Sequence, residues 1–176
     1  TVYGYYEEFG RILPWRESRD AYEILVSEFM LQQTQVSRVL PKYLEFLNRW
    51  PNIESLAAAE FRSVLEAWQG LGYNRRAKAL YETAVTIVDT NSGRVPSDRG
   101  TLIALPGIGE ATAAAIRSFA YSIPAVYLET NVRRVYIYFF FAGRTGISDR
   151  EIFALADIAL DRKDPRRWGY ALMDYG

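Results

Sequence analysis

Neither cysteine nor histidine occurs among the 176 residues. Their absence excludes disulfides, thiolate nucleophiles, thiolate-held metal clusters and the common zinc sites within this chain. Any chemistry must therefore come from carboxylates, hydroxyls, amines or backbone groups. No charge of one sign dominates either, since 21 Lys and Arg balance 21 Asp and Glu and the isoelectric point is near 6.3. A neutral balance argues weakly against a general polyanion binder. No apolar run approaches the ~20 residues that span a bilayer, and the opening "TVYGYYEEFGRILPW" lacks the basic start and unbroken apolar core of a secretory signal. A soluble, cytoplasmic protein without a membrane partner is expected. Internal repeats, low-complexity tracts and linkers are also missing.

What is present is apolar and aromatic. Hydrophobic residues make up 49% and aromatic residues 15% of the chain, enough for a real core in one domain or in two small lobes. The punctuation is helical. Asp20 with Glu23, and Ser148 with Glu151, have the spacing of capping boxes, opening a helix that carries Glu28 and a late helix to about Asp161. Further helical patterns cover Val36 to Trp50, Ile53 to Ala58, Phe61 to Trp68, Arg75 to Asp89 and Glu110 to Ala120. "IPAVYL" and "VYIYFFF" are rich in strand formers. The second follows Asn131 without a hairpin signal and is read as a buried helix. An all-α, single-unit fold is the expectation.

Three kinds of segment carry chemistry. In "YEILVSEFMLQQTQV", Tyr22, Leu25, Val26, Phe29 and Met30 recur at helical spacing, yet Glu28 sits among them and Gln32 and Gln33 follow. A buried glutamate is either satisfied by local donors or functional, with its proton retained by burial. In "LPGIGEATAAAI", Pro106, Gly107 and Gly109 predict a tight hairpin before a helix, whose unpaired N–H groups offer a seat for a phosphate oxygen; an ordinary helix connection needs glycine as well. Basic residues cluster in "NRRAK", "NVRR" and "DRKDPRR", where the bland reading is a solvated helix face.

Together and in this order, "SEFMLQQTQV", "GLGYNRRAKAL", the hairpin and "LETNVRRV" resemble the catalytic domain of the helix-hairpin-helix DNA glycosylases, most closely the adenine-specific MutY branch. The resemblance runs from about Leu13 to Gly176. It implies two helical lobes with a DNA cleft between them: a six-helix lobe at 17–122 containing the hairpin, and a terminal lobe of 1–16 with 123–176. It also implies a monomeric base excision repair enzyme of the bacterial or archaeal nucleoid, acting on double-stranded DNA that carries a mismatched or damaged base. By the same resemblance Glu28 is the general acid that protonates a flipped purine, and Glu129 the anion that stabilises the sugar cation. Asn131 positions the attacking water or, on the bland reading, caps a helix. Gln32 and Gln33 meet the flipped base and the gap it leaves, and Tyr73 is an aromatic wedge or else a core tyrosine. Arg75 and Arg76 face phosphates, Gly107 and Gly109 grip one, and the carbonyls of Ile103, Leu105 and Ile108 hold a structural cation. No cofactor is otherwise required.

The sequence departs from that family in four ways. Glu129 stands where aspartate is usual, and one methylene moves a carboxylate by roughly an ångström, a displacement that can cost ~100-fold in rate. Ala111 stands where bifunctional members carry a Schiff-base lysine, so a monofunctional glycosylase without strong lyase activity is implied. The four cysteines of the family's iron–sulfur cluster do not occur among these residues, so a cluster-free member is expected, and these residues do not include the domain by which such enzymes read 8-oxoguanine in the opposite strand. The target is thus a flipped adenine opposite guanine or its oxidised form, with uracil or thymine in a mismatch as one alternative and noncatalytic binding of damaged or abasic DNA as another.

Overall fold

A computed structural model describes residues 1–176. All of the regular secondary structure is helical, in the order α1 (Val2–Phe9), α2 (Pro14–Glu17), α3 (Ala21–Leu31), α4 (Val36–Arg49), α5 (Ile53–Ala57), α6 (Phe61–Ala67), α7 (Asn74–Asn91), α8 (Arg99–Ile103), α9 (Glu110–Tyr121), α10 (Thr130–Phe140), α11 (Asp149–Ala159) and α12 (Pro165–Tyr175). None of these helices is long and apolar enough to cross a membrane.

Helix α3 is the axle. Its N-terminus is fixed by Asp20, whose carboxylate accepts from the N–H groups of Tyr22 and Glu23. The reciprocal bond expected from Glu23 does not form, so only half of the first capping box exists; the box at Ser148 and Glu151 is complete. Leu25, Val26, Phe29 and Met30 enter a large core built from α2 to α9, and Ile24 enters a small one with Ala115, Phe119 and Tyr170. Between these buried neighbours Glu28 is only partly exposed, and its side chain borders an open cleft.

A separate core joins α10, α11 and α12 through Val132, Val135, Tyr136, Ile152, Ala156 and Leu172. Leu13 and Trp15 belong to the large core, although they precede residue 17. Segment "VYIYFFF" is helical in α10. Glu129 caps that helix, and burial of Val132, Val135 and Tyr136 on one face outweighs the strand preference of the individual residues. The partners α12 and α9 close on each other where Gly169 passes Phe119; a Cβ at 169 would lie 2.7 Å from the Phe119 ring.

Candidate active site

The hairpin between α8 and α9 turns on Gly107, with φ +73, and a Cβ there would lie 2.8 Å from Ala79 and 2.9 Å from Phe29. Only glycine fits. Thr83 donates to the Pro106 carbonyl at 2.8 Å and ties the turn to α7. Gly109 has an extended backbone and open space around it, so conformational freedom is not its reason. It begins α9 without any side-chain cap. The N–H groups of Gly107, Gly109 and Glu110 consequently have no partner in the chain and face solvent, a concentration of donors at a helix N-terminus. On the inner side of the turn, Leu105 O accepts from Ile108 N at 3.3 Å, whereas the Ile103 and Ile108 carbonyls accept nothing. Such free oxygens fit a hard cation.

Behind the hairpin lies an open cleft of about 360 Å³, the size of a small-molecule pocket. Glu28, Gln32 and Gln33 from the end of α3, Ala111 and Thr112 from α9, and Tyr127, Glu129 and Asn131 from the start of α10 all line it. The extended segment before α10 alternates: Tyr127 and Glu129 face this cleft, while Val126 and Leu128 face a second one of about 520 Å³. Ala111 borders both.

The two carboxyls differ in kind. Glu129 is the N-cap of α10, and its Oε1 accepts from Asn131 N at 2.8 Å and Val132 N at 2.9 Å. First-turn amides and the helix dipole favour an anion there. Glu28 has no hydrogen-bond donor; burial first, and then the charge of Glu129, push its pKa from the ordinary 4.5 up to about 8. A ¹³C titration of the Glu28 carboxyl is expected to show a midpoint near 8. A midpoint in the ordinary range near 4.5 would remove the asymmetry between the two groups.

Asn131 lies inside the first turn of α10 rather than capping it, and its side chain bonds nothing in the chain. Gln32 ends α3 and places Nε2 3.4 Å from Thr112 Oγ1. Gln33 and Tyr73 are both exposed in the left-handed region, with φ 55 and φ 50. For a bulky residue such as Tyr73 this is strained backbone of the kind found at functional sites. The two line one shallow concavity with Arg38, and Arg75 lies 5.9 Å from the Tyr73 ring.

Arg76 is a correction. Its guanidinium is buried and donates to the carbonyls of Phe29, Met30, Gln32, Leu71 and Gly72 and to Thr34 Oγ1. A side chain committed inward to the end of α3 and the turn before Tyr73 is a brace for both loops, and it has no face left for a phosphate.

The sequence reading passed over Asp174, whose carboxylate is 2% exposed. It accepts from Arg16 at 2.5 and 2.9 Å and from Arg11 at 2.6 and 2.9 Å. Burial raises its pKa, but the bonds from Arg16 and Arg11 outweigh burial and hold it below the usual carboxylate range. Through these bonds α12 is clamped to Arg11 in the segment before α2 and to Arg16 within α2, at the cleft edge. Asp174→Asn strands the buried Arg16 charge and is expected to destabilise the protein by about 3–5 kcal/mol in urea unfolding; a loss under about 1 kcal/mol would show the clamp to be dispensable.

The sequence pattern of the HhH-GPD superfamily of base excision DNA repair proteins matches residues 26–158. The adenine DNA glycosylase of Mycolicibacterium smegmatis is 51% identical over 132 residues, covering 74% of this chain and 45% of that protein. The human adenine DNA glycosylase is 34% identical over an alignment of 188 residues, covering 100% of this chain and 34% of that protein. This chain thus spans less than half the length of either relative. Among solved structures, a thermostable thymine-DNA glycosylase superposes with TM-score 0.90 at 28% identity, covering 99% of this chain and 82% of that one. Endonuclease III in a noncovalent DNA complex superposes with TM-score 0.84 at 20% identity over the same shares, a likeness of fold.

Proposed function

Because the chain belongs to the HhH-GPD superfamily of base excision DNA repair proteins, we propose that it hydrolyses the N-glycosidic bond of a mispaired adenine flipped out of double-stranded DNA. One observation carries the reading: a glutamate pushed toward its protonated form and a helix-capping glutamate line the same open cleft. The adenine assignment is supported by relatives such as those of M. smegmatis and human, both named adenine DNA glycosylase.

In this scheme the free amides of Gly107, Gly109 and Glu110 take a backbone phosphate, which seats the flipped nucleotide over the cleft. The carbonyls of Ile103, Leu105 and Ile108 would hold a cation, which would add positive charge beside that phosphate. Tyr73 fills the gap in the stack, with Gln33 at its side, and Arg75 pairs with phosphate. Gln32 meets the edge of the flipped base. Glu28 gives its proton to a ring nitrogen of the purine, and the bonding electrons leave with the base. The sugar carbon becomes cationic and is stabilised by the Glu129 carboxylate. Asn131 orients the water that adds to that carbon, and the water's proton passes to a cleft carboxylate. With Ala111 at the mouth there is no amine to form a Schiff base, so the abasic product is released without strand cleavage.

A second reading is favoured by the thymine-DNA glycosylase superposition and by Glu129 and Ala111, which alter the cleft. It keeps the scheme and changes the base to thymine or uracil. Single-turnover release from duplexes carrying adenine, uracil, thymine or hypoxanthine opposite guanine or 8-oxoguanine separates the two. Release of adenine alone supports the first reading. Tight abasic-site binding without release of any base leaves a noncatalytic binder.

A further inference from the structure

Tyr127 has no part in the scheme above, yet it stands inside the cleft. It lies two residues before Glu129 in an extended segment, so the two side chains point to one face, and both border the cleft with Glu28. Its ring packs edge-on against Phe119, centroids 5.5 Å apart, in the core that also holds Ile24 of α3. Packing of this kind fixes the ring and leaves the hydroxyl as its only adjustable part. That hydroxyl has no partner within the chain.

Of the other polar groups lining the cleft, the Asn131 amide is also free, while several more are already engaged. Arg11 and Arg16 are locked on Asp174, and the Tyr170 hydroxyl donates to the Trp15 carbonyl at 3.4 Å. Gln32 is turned toward Thr112. Oε1 of Glu129 is taken by two amides, and its second oxygen and the whole Glu28 carboxyl are free. A cleft with two carboxyls therefore holds a surplus of acceptors, and Tyr127 brings a free donor to it. Burial, followed by the charges of Glu28 and Glu129, drives the phenol pKa further upward, so the hydroxyl keeps its proton to give.

We propose that Tyr127 is a further residue of the site, whose hydroxyl hydrogen-bonds the water held between it and the Glu28 and Glu129 carboxyls, including the water that attacks the sugar carbon. This rests on the roles proposed for Glu28 and Glu129. A donor shared through water stabilises the charged form of both carboxyls. Its removal raises the Glu28 midpoint and leaves the attacking water less well placed.

The test is Tyr127→Phe, which keeps the ring on Phe119, with Tyr170→Phe as control because the Tyr170 hydroxyl is spent on Trp15. In a ¹³C carboxyl titration the Glu28 midpoint is expected to rise in Tyr127→Phe and to stay in place in Tyr170→Phe. Single-turnover base release should fall about tenfold in Tyr127→Phe, with affinity for an abasic-site duplex unchanged. A Glu28 midpoint that is unmoved or lowered, or one that moves equally in both variants, overturns the assignment. Should the wild type release no base from any duplex, the enzymatic reading falls, while the titration still decides whether Tyr127 acts on the carboxyl pair.

Discussion

Glu28→Gln is expected to lower single-turnover base release by about 10²–10⁴-fold while leaving affinity for an abasic-site duplex essentially unchanged. Glutamine keeps the size and polarity of the side chain, so α3 and its packing are preserved. It has no proton to give. The purine must then leave as an anion, and the barrier rises by the whole benefit of protonation. Stability should move the other way. The unfolded chain releases the Glu28 proton near the ordinary 4.5, but the folded chain holds it to about 8. Between those values the unfolded state binds fewer protons, so this group subtracts stability progressively as pH rises and most fully above about 8. Glu28→Gln removes that subtraction, and its thermal midpoint at pH 8 should exceed that of the wild type. A carboxylate kept for structure would show the reverse, a loss of stability with little loss of rate.

Glu129→Gln is expected to cost about 10²–10³-fold in the same assay. The amide oxygen of glutamine can still accept from Asn131 N and Val132 N, which now bond Oε1 of Glu129 at 2.8 and 2.9 Å. Helix α10 therefore keeps its cap, and any loss of rate reports on charge. Glu129→Asp retains the charge but draws it back by roughly an ångström, and should keep more activity than Glu129→Gln. Equal rates for wild type and Glu129→Gln would reduce Glu129 to a helix cap.

The parts of the fold that could be read from sequence were those with local causes. Caps at Asp20 and Ser148 and the glycine turn at Gly107 act within a few residues, and the helix boundaries follow them closely. Glu28 could be singled out because a carboxylate interrupts an apolar helical stripe. Arg76 misled because a basic cluster looks the same whether its members face solvent or fold inward. Its burial depends on the end of α3 and the turn at Leu71 meeting around it, which no local pattern reveals. The Asp174 clamp is equally hidden, since it joins α12 to Arg11 and Arg16 from the far end of the chain. Tyr127 did leave a signal: alternation in an extended segment puts residues 127 and 129 on one face. The sequence left Tyr73 between an exposed wedge and a core tyrosine; its exposure and its left-handed backbone, φ 50, are products of the folded turn.

The central claim is that one cleft holds a protonated Glu28 beside an anionic Glu129 and uses the difference to break a glycosidic bond. The pH dependence of single-turnover adenine release, measured for wild type and Glu129→Gln on one duplex, tests it most directly. The wild-type rate should be level through neutrality and fall above about 8 as Glu28 loses its proton. In Glu129→Gln the residual rate should begin its fall at lower pH, because the charge that helps hold the Glu28 proton is gone. A wild-type rate that stays level or climbs to about pH 9.5, or an alkaline limb that does not move in the variant, would contradict the account.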